Sequence, residues 1–182
     1  MTTRIKSVAA QKLQNELYLL KTLVYDKCGL NLYELSEDFE SKEYGACSFS
    51  LNRMKIKFRI SKITPTKTGQ FVTMWKRNKD GVTQPFEESD EIDFVIICSR
   101  SRGDFGQFIF PKSVLIEKRI ITRGKKTGKL GIRVYPPWDK VNSKQAQITK
   151  DWQIKYFFKI SKEETIDLNG IENIFGSCSK IN

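Results

Sequence analysis

The chain of 182 residues contains no histidine and only four cysteines. Without histidine, no serine or cysteine nucleophile can be activated by an imidazole, and the commonest general base is missing. The cysteines lie far apart, with no Cys-x-x-Cys spacing, so a structural zinc site is not expected. They are Cys28, Cys47, Cys98 and Cys178. We therefore expect four separate thiols, no metal, no cofactor and no catalytic residues.

Long apolar runs are also missing. No stretch approaches the ~20 residues that span a bilayer, and the first ten residues are too polar for a signal peptide. A content of 39% hydrophobic and 29% charged residues is typical of one globular domain. We expect a cytoplasmic protein without a membrane partner, and the sequence does not indicate its oligomeric state.

Positive charge is abundant and concentrated in the middle of the chain. The net charge is +11, and residues 53–81 and 112–140 carry nine basic residues each against one and two acids. Both terminal segments are nearly neutral. Such a local excess favours a polyanionic partner, and nucleic acid fits it best.

Residues 53–79 give the strongest functional signal, with nine basic residues and no acid. Two runs of alternating apolar residues, 54–60 and 71–75, flank a linker of Thr, Pro, Lys and Gly, which predicts a β-hairpin. Like charges facing each other on a sheet are destabilising. The charge excess therefore predicts a phosphate-binding surface, and the alternative is a solvated strand face.

The remaining periodicities predict the fold class. Leucines at helical spacing predict an amphipathic helix over 7–28, with Ser7 as N-cap and Gly29 as C-terminal cap. Strands are expected at 46–51, 94–98, 106–110 and 131–135, a short helix after Pro111, and a last helix capped by Asn142 or Ser143. The prediction is a single α+β domain. It has a mixed, mainly antiparallel sheet of about six strands, with N-terminal and C-terminal helices packed on it. The domain covers 1–162, and 163–182 form a loosely docked tail.

Several strings of residues resemble the MepB family over roughly residues 10 to 160. The longest are Phe105-Gly-Gln-Phe-Ile-Phe-Pro-Lys-Ser-Val-Leu and Gly131-Ile-Arg-Val-Tyr-Pro-Pro-Trp-Asp, with Glu43-Tyr-Gly-Ala-Cys and Lys62-Ile-Thr-Pro-Thr-Lys before them. The resemblance implies a bacterial cytosolic protein, similar to one encoded beside a multidrug efflux pump and its MarR-type repressor. It implies no particular reaction.

The favoured function is non-enzymatic binding of DNA or RNA, with single strands preferred over duplexes. Basic side chains would contact phosphates, and aromatic rings would stack on bases. Thr64 and its neighbours either build a turn or cradle a phosphate. The loop 123–128 lacks the residue order of a Walker motif, so ATP binding is not expected. The candidate binding residues are Lys55, Lys57, Arg59, Lys62, Thr64, Lys67, Gln70, Trp75, Lys76, Arg77, Lys112, Arg133, Tyr135 and Trp138.

Two other functions are retained as hypotheses. A restriction-type metal site needs an acid two residues before a lysine, but Ile60 precedes Lys62 and Lys55 precedes Lys57 at that spacing. A metal-dependent nuclease would therefore need a rearranged set of carboxylates. These are Glu43, Asp90, Glu91 and Asp93. The other hypothesis is a protein-interaction module that docks on an acidic partner or on the repressor.

Overall fold

The computed structural model describes residues 8–178 of the chain, with side chains from 11 to 176. The strands are β1 (Leu32–Glu37), β2 (Cys47–Leu51), β3 (Met54–Ile60), β4 (Lys62–Thr64), β5 (Lys67–Thr73), β6 (Trp75–Arg77), β7 (Thr83–Pro85), β8 (Phe94–Arg100), β9 (Phe105–Pro111), β10 (Gly131–Val134) and β11 (Phe157–Lys159). The helices are α1 (Val8–Leu20), continued by a π-helical turn (Lys21–Tyr25), α2 (Lys112–Glu117), α3 (Lys144–Gln153) and α4 (Leu168–Cys178). Two 3₁₀ turns lie at Lys42–Tyr44 and Ile154–Tyr156.

A six-stranded sheet organises the molecule, in the order β1-β2-β3-β8-β9-β11. Only β3 and β8 run parallel, and the other neighbours are antiparallel. The predicted α+β fold with one mixed, mainly antiparallel sheet is confirmed. The apolar run that begins at Phe94 lies at the centre as β8 and is buried as far as Ser99, because both faces of the sheet are covered.

Helices from both ends of the chain cover the first face of this sheet. Leu13, Leu17 and Leu20 of α1 are buried in the same core as the β3 and β8 side chains. Arg100 of β8 donates two hydrogen bonds to the buried carboxylate of Glu16, at 2.9 and 2.8 Å. This ion pair holds α1 against the sheet.

The predicted first helix has the correct type, but it ends three residues before the predicted residue 28. Helical backbone runs from residue 8 to 25, and Gly29 has a φ of 65°, the left-handed conformation expected of a C-terminal cap. The predicted cap at Ser7 lies outside the described residues. No helix between residues 8 and 178 is both long and apolar enough to cross a bilayer.

Helix α4 packs into the core through Ile171 and Phe175, whereas a loosely docked tail was expected. Ile171 and Phe175 of α4 are 0% and 3% exposed. The ring of Phe175 meets that of Phe94 edge to face, with centroids 4.9 Å apart. This docking results from apolar side chains at helical spacing in a short segment. The small polar residues between them make that helical periodicity hard to recognise in the sequence.

A second, three-stranded sheet covers the other face of the main sheet, in the order β10-β5-β4. We refer to it as the small sheet. Val72, Ile132 and Val134 project from its inner face into a second core that includes Val95 and Phe108. Beside it, α3 begins at the predicted cap, since the Ser143 side chain accepts a hydrogen bond from the N–H of Ala146 at 3.2 Å.

The strand pairing differs from the predicted hairpin. Both edges of β3 are occupied, by β2 and β8, so β3 has no free edge for residues 71–75. The chain leaves the main sheet at Ser61, and the hairpin forms one element later, between β4 and β5. Two features were not predicted: residues 32–37 form edge strand β1, and the helix that begins after Ser143 ends at Gln153 and is followed by strand β11.

Truncating Phe175 tests whether α4 belongs to the core. We expect Phe175→Ala to lower the free energy of unfolding by about 3–5 kcal/mol, because it removes a buried ring and leaves a cavity. Urea unfolding followed by circular dichroism measures it. Asn173→Ala, on the exposed side of the same helix, is the control and should change stability by less than about 0.5 kcal/mol. Equal effects of the two variants would restore the loosely docked tail.

Candidate nucleic-acid interface

The basic side chains of β3 lie on one face of the main sheet, beside acids from earlier in the chain. Lys55 forms an ion pair with Glu34 of β1 at 3.0 Å. Asp38, just after β1, pairs with Lys57 at 3.3 Å and with Arg59 at 2.8 Å. The expectation that these cations lack neighbouring carboxylates is therefore wrong, because β1 folds back along β2 and brings its acids to them.

Asp38 forms the centre of a largely buried polar cluster. Arg59 is 1% exposed, and its guanidinium lies 5.7 Å from the ring of Phe86. The hydroxyl of Ser48 donates to Asp38 at 2.5 Å. Burial raises the pKa of Asp38. The charges of Arg59 and Lys57 and the Ser48 hydrogen bond lower it by more, so the pKa lies below its usual value. Arg59 is thus a structural cation, out of reach of a ligand.

The acidic run before β8 has a similar role. Lys76 of β6 pairs with Glu87 at 3.1 Å and also contacts the carboxylate of Asp90. Burial lowers the pKa of Lys76, and the hydrogen bonds to Asp90 and Glu87 raise it by more. The ammonium of Lys112 donates to the carbonyls of Glu88 and Asp90. Both predicted phosphate ligands are therefore occupied within the protein.

The carboxylates considered for a nuclease do not form a metal site. Glu43 pairs with Lys62 at 2.9 Å, and Asp93 accepts a hydrogen bond from the N–H of Lys55 at 2.7 Å. Glu91 is exposed. Among the side chains described, residues 11–176, no three histidine, cysteine or acidic groups come close enough to hold a metal ion.

Two predicted contact residues are directed into the protein. Gln70 is 1% exposed and accepts a hydrogen bond from the Ser61 hydroxyl at 2.7 Å. The ring of Trp138 meets that of Phe157 edge to face, at 5.3 Å. Internal packing therefore buries Gln70 and covers part of Trp138, which is half-buried.

Trp75 and Arg77 share one side of the short strand β6. The guanidinium of Arg77 lies 5.5 Å from the centre of the half-buried Trp75 ring. It also donates to the carbonyl of Gly81 at 2.7 Å. No acidic side chain neutralises it among the ion pairs of the described residues.

The other predicted residues converge on the small sheet. Lys62, Phe71 and Arg133 lie directly opposite one another on its three strands, so they share a face. That face points away from the core, since Val72 and Ile132 between them point inward. We refer to it as the outer face, defined by Lys62, Thr64, Lys67, Phe71 and Arg133. Tyr135 lies at its edge over Gly69 and is only 9% exposed.

Two aromatic rings lie across this face because glycines leave space for them. A Cβ at Gly131 would lie 2.5 Å from the ring of Phe71, and one at Gly69 would lie 2.5 Å from the ring of Tyr135. Phe71 is half-buried, and its ring meets that of Tyr44 at 6.0 Å and 69°. Sequence reasoning missed Phe71 and Tyr44, because the contact of Phe71 with Gly131 and with the Tyr44 ring is recognisable only when the strand register is known.

Most cations of the outer face are not paired with a carboxylate. The guanidinium of Arg133 donates to the carbonyls of residues 67–69 and to the Thr64 hydroxyl at 2.8 Å, so it has acceptors but no carboxylate. Lys67 is exposed and has no ion pair with any described residue. Lys62 lies 4.4 Å from the centre of the Tyr44 ring and pairs with the exposed Glu43. The outer face therefore combines uncompensated positive charge with aromatic surface.

The molecule is thus a single α+β domain whose main sheet is covered by helices on one face and by a cation- and aromatic-bearing small sheet on the other. The profile of the MepB-like family matches residues 38–159. The crystal structure of MepB is 34% identical, with a TM-score of 0.71, over 80% of this chain and 97% of that chain. The chain belongs to the MepB-like family.

Other comparisons add little. The structure of a bacterial homing endonuclease, I-Ssp6803I, is similar at 16% identity and a TM-score of 0.38, over 85% of this chain and 93% of that one. Similarity at this level carries no weight for fold or function. The comparison with curated proteins gives no match.

Removing the carboxylate at the centre of the polar cluster should destabilise the protein. We expect Asp38→Asn to lower the free energy of unfolding by about 3–5 kcal/mol, because Arg59 would stay buried without its counter-ion. Chemical unfolding at neutral pH measures it. Glu43→Gln is the control. It breaks an ion pair whose carboxylate is 73% exposed, and should cost no more than about 1 kcal/mol.

Acid should have the same effect on the wild type. A carboxyl whose folded-state pKa is lowered contributes its full stability above the unfolded value of about 3.9, and loses it as the pH falls through the lower folded value. Stability should therefore decline more steeply below about pH 4 in the wild type than in Asp38→Asn. Parallel pH profiles would show that Asp38 does not carry this linkage.

Proposed function

We propose that this protein binds single-stranded nucleic acid across the outer face of the small sheet, without catalysing a reaction. One observation carries the proposal: the half-buried ring of Phe71 lies over Gly131, beside Arg133, whose guanidinium is bonded to carbonyls and not to a carboxylate. A surface of cations and aromatic rings is the arrangement that holds the phosphates and bases of unpaired strands.

Charge favours the outer face over the face of β3. On β3, Lys57 and Arg59 share the carboxylate of Asp38, and Lys55 has Glu34. Binding a phosphate there would require breaking those ion pairs, one of them almost fully buried. On the outer face, Lys67 needs only to lose water, which is the ordinary cost of a phosphate contact.

Aromatic surface favours single strands over duplexes. Stacking on an unpaired base contributes about 1–3 kcal/mol and requires a free base face. A duplex hides its base faces and presents phosphates to this surface. Phe71 and Tyr44 are both half-buried and their rings meet edge to face at the outer face. They offer a stacking surface that a duplex does not use.

Fluorescence anisotropy with labelled single- and double-stranded oligonucleotides at several salt concentrations tests the proposal. We expect the logarithm of affinity to fall linearly with the logarithm of salt, because phosphate contacts release counterions. Lys67→Gln should reduce the slope by about 1. Phe71→Leu keeps an apolar side chain over Gly131 and should cost about 1 kcal/mol or more on single strands, but little on duplexes.

Two matched variants give the controls. Lys55→Gln makes the same charge change on β3 and should leave the slope unchanged. Ile63→Ala shortens an apolar side chain that is 67% exposed on the other face of β4 and should leave affinity unchanged. Affinity that does not depend on salt would contradict the proposal. A slope that responds to Lys55→Gln but not to Lys67→Gln would place the ligand on β3.

A further inference from the structure

A basic cavity adjoins the outer face. It has a volume of about 380 Å³ and lies between β10, the segment that follows α2, and α3. Lys118, Lys129 and Arg133 line it together with Tyr135, Gln145 and Trp152. Ligand sites in proteins range over ~300–1,000 Å³, so this cavity suits one small group and not a length of polymer.

Positive charge dominates the lining, which contains no carboxylate. Lys129 is exposed and forms no ion pair with a described residue. Lys118 lies 5.8 Å from the centre of the Trp152 ring, and its pairing partner is its exposed neighbour Glu117. The stem of Arg133 lines the cavity, and its guanidinium is fixed by carbonyls. Two lysine ammonium groups, those of Lys118 and Lys129, therefore flank one small volume, with the stem of Arg133 beside them.

The wall on the α3 side is closed by side-chain hydrogen bonds. Gln153 is 1% exposed, and its amide donates to the carbonyl of Arg133 at 2.9 Å. Its oxygen accepts from the N–H of Tyr135 at 2.9 Å. Gln153 thus bonds the outer edge of β10 to α3. A nucleic-acid strand that crosses the outer face would be blocked by α3 at this point. Trp152 provides an aromatic side to the same space.

We propose that this cavity binds a phosphomonoester, either the terminal phosphate of a single strand or the phosphate of a free nucleotide. A phosphomonoester carries about −1.5 to −2 charges at neutral pH, whereas an internal phosphodiester carries one. The lysines that line the cavity match the higher charge. An internal phosphate would need an exit for the chain on both sides, and the Gln153 hydrogen bonds close the side next to α3. The inference rests on the proposed function for the source of its ligand, because the cavity lies where a bound strand would end.

The test compares oligonucleotides of one sequence that end in a 5′-phosphate, a 3′-phosphate or hydroxyls only, with the label at the other end. We expect one phosphorylated end to bind about tenfold more tightly than the hydroxyl form, as charge-assisted hydrogen bonds predict. AMP, but not adenosine, should displace it. Lys129→Gln should reduce the ratio of affinities to about one and change hydroxyl-ended binding less than twofold.

Control variants separate the cavity from general charge. Lys125→Gln removes an exposed lysine of the same loop that does not line the cavity, and should keep the ratio. Gln145→Glu places a carboxylate at the exposed rim and should reduce the ratio of affinities to about one without disturbing the core. This variant gives a second test if Lys129→Gln folds poorly. If calorimetry shows AMP binding that Lys129→Gln removes, while no oligonucleotide binds, the cavity proposal holds and nucleic-acid binding fails. If oligonucleotides bind with equal affinity whatever their ends and AMP does not compete, the cavity proposal is overturned and nucleic-acid binding stands.

Discussion

The ion pair between Asp38 and Arg59 is the constraint on which the rest of the structure depends. A guanidinium that is 1% exposed cannot remain in the protein without a counter-ion, since an uncompensated buried charge is strongly destabilising. Meeting that requirement places the segment after β1 against β3 and brings Lys57 into the same cluster. As a result, the strand with the most regular positive charge in the sequence is used mainly for folding.

The small sheet has the opposite electrostatic character. Its inner face completes the second core, and on its outer face Arg133 bonds to carbonyls, Lys67 has no ion pair with a described residue, and only Lys62 pairs with an acid, the exposed Glu43. Gly69 and Gly131 are essential to this surface, because a side chain at either would displace the ring that lies over it. The geometry that shields the core therefore also exposes charge and aromatic surface in one layer.

The region that matches the family profile contains most of both sheets, and the two helices that cover the first face of the main sheet lie outside it. Residues 38–159 match the MepB-like profile, and they include Asp38, five strands of the main sheet and the whole small sheet. The helices α1 and α4 lie outside that range, although they cover the first face of the main sheet and bury Leu17 and Phe175. Both ends of the chain thus supply packing for a sheet whose other face carries the candidate site.

Local features were predictable from the amino acids alone. The helix that ends before Gly29, the buried strand from Phe94, the cap at Ser143 and the α+β class all follow from periodicity and from residues with strong conformational preferences. The pairing of β4 with β5 was not predictable in this way. It depends on β8 occupying an edge of β3, and those strands lie more than thirty residues apart in the chain.

The sequence by itself determined that this protein is one domain with a central excess of lysine and arginine interleaved with aromatic residues. Only the tertiary structure decided which of those cations remain free for a ligand. Asp38 is 21 residues from Arg59 in the chain, and no local pattern connects them. Neutralisation of charge depends on distance in space, and strand order sets that distance.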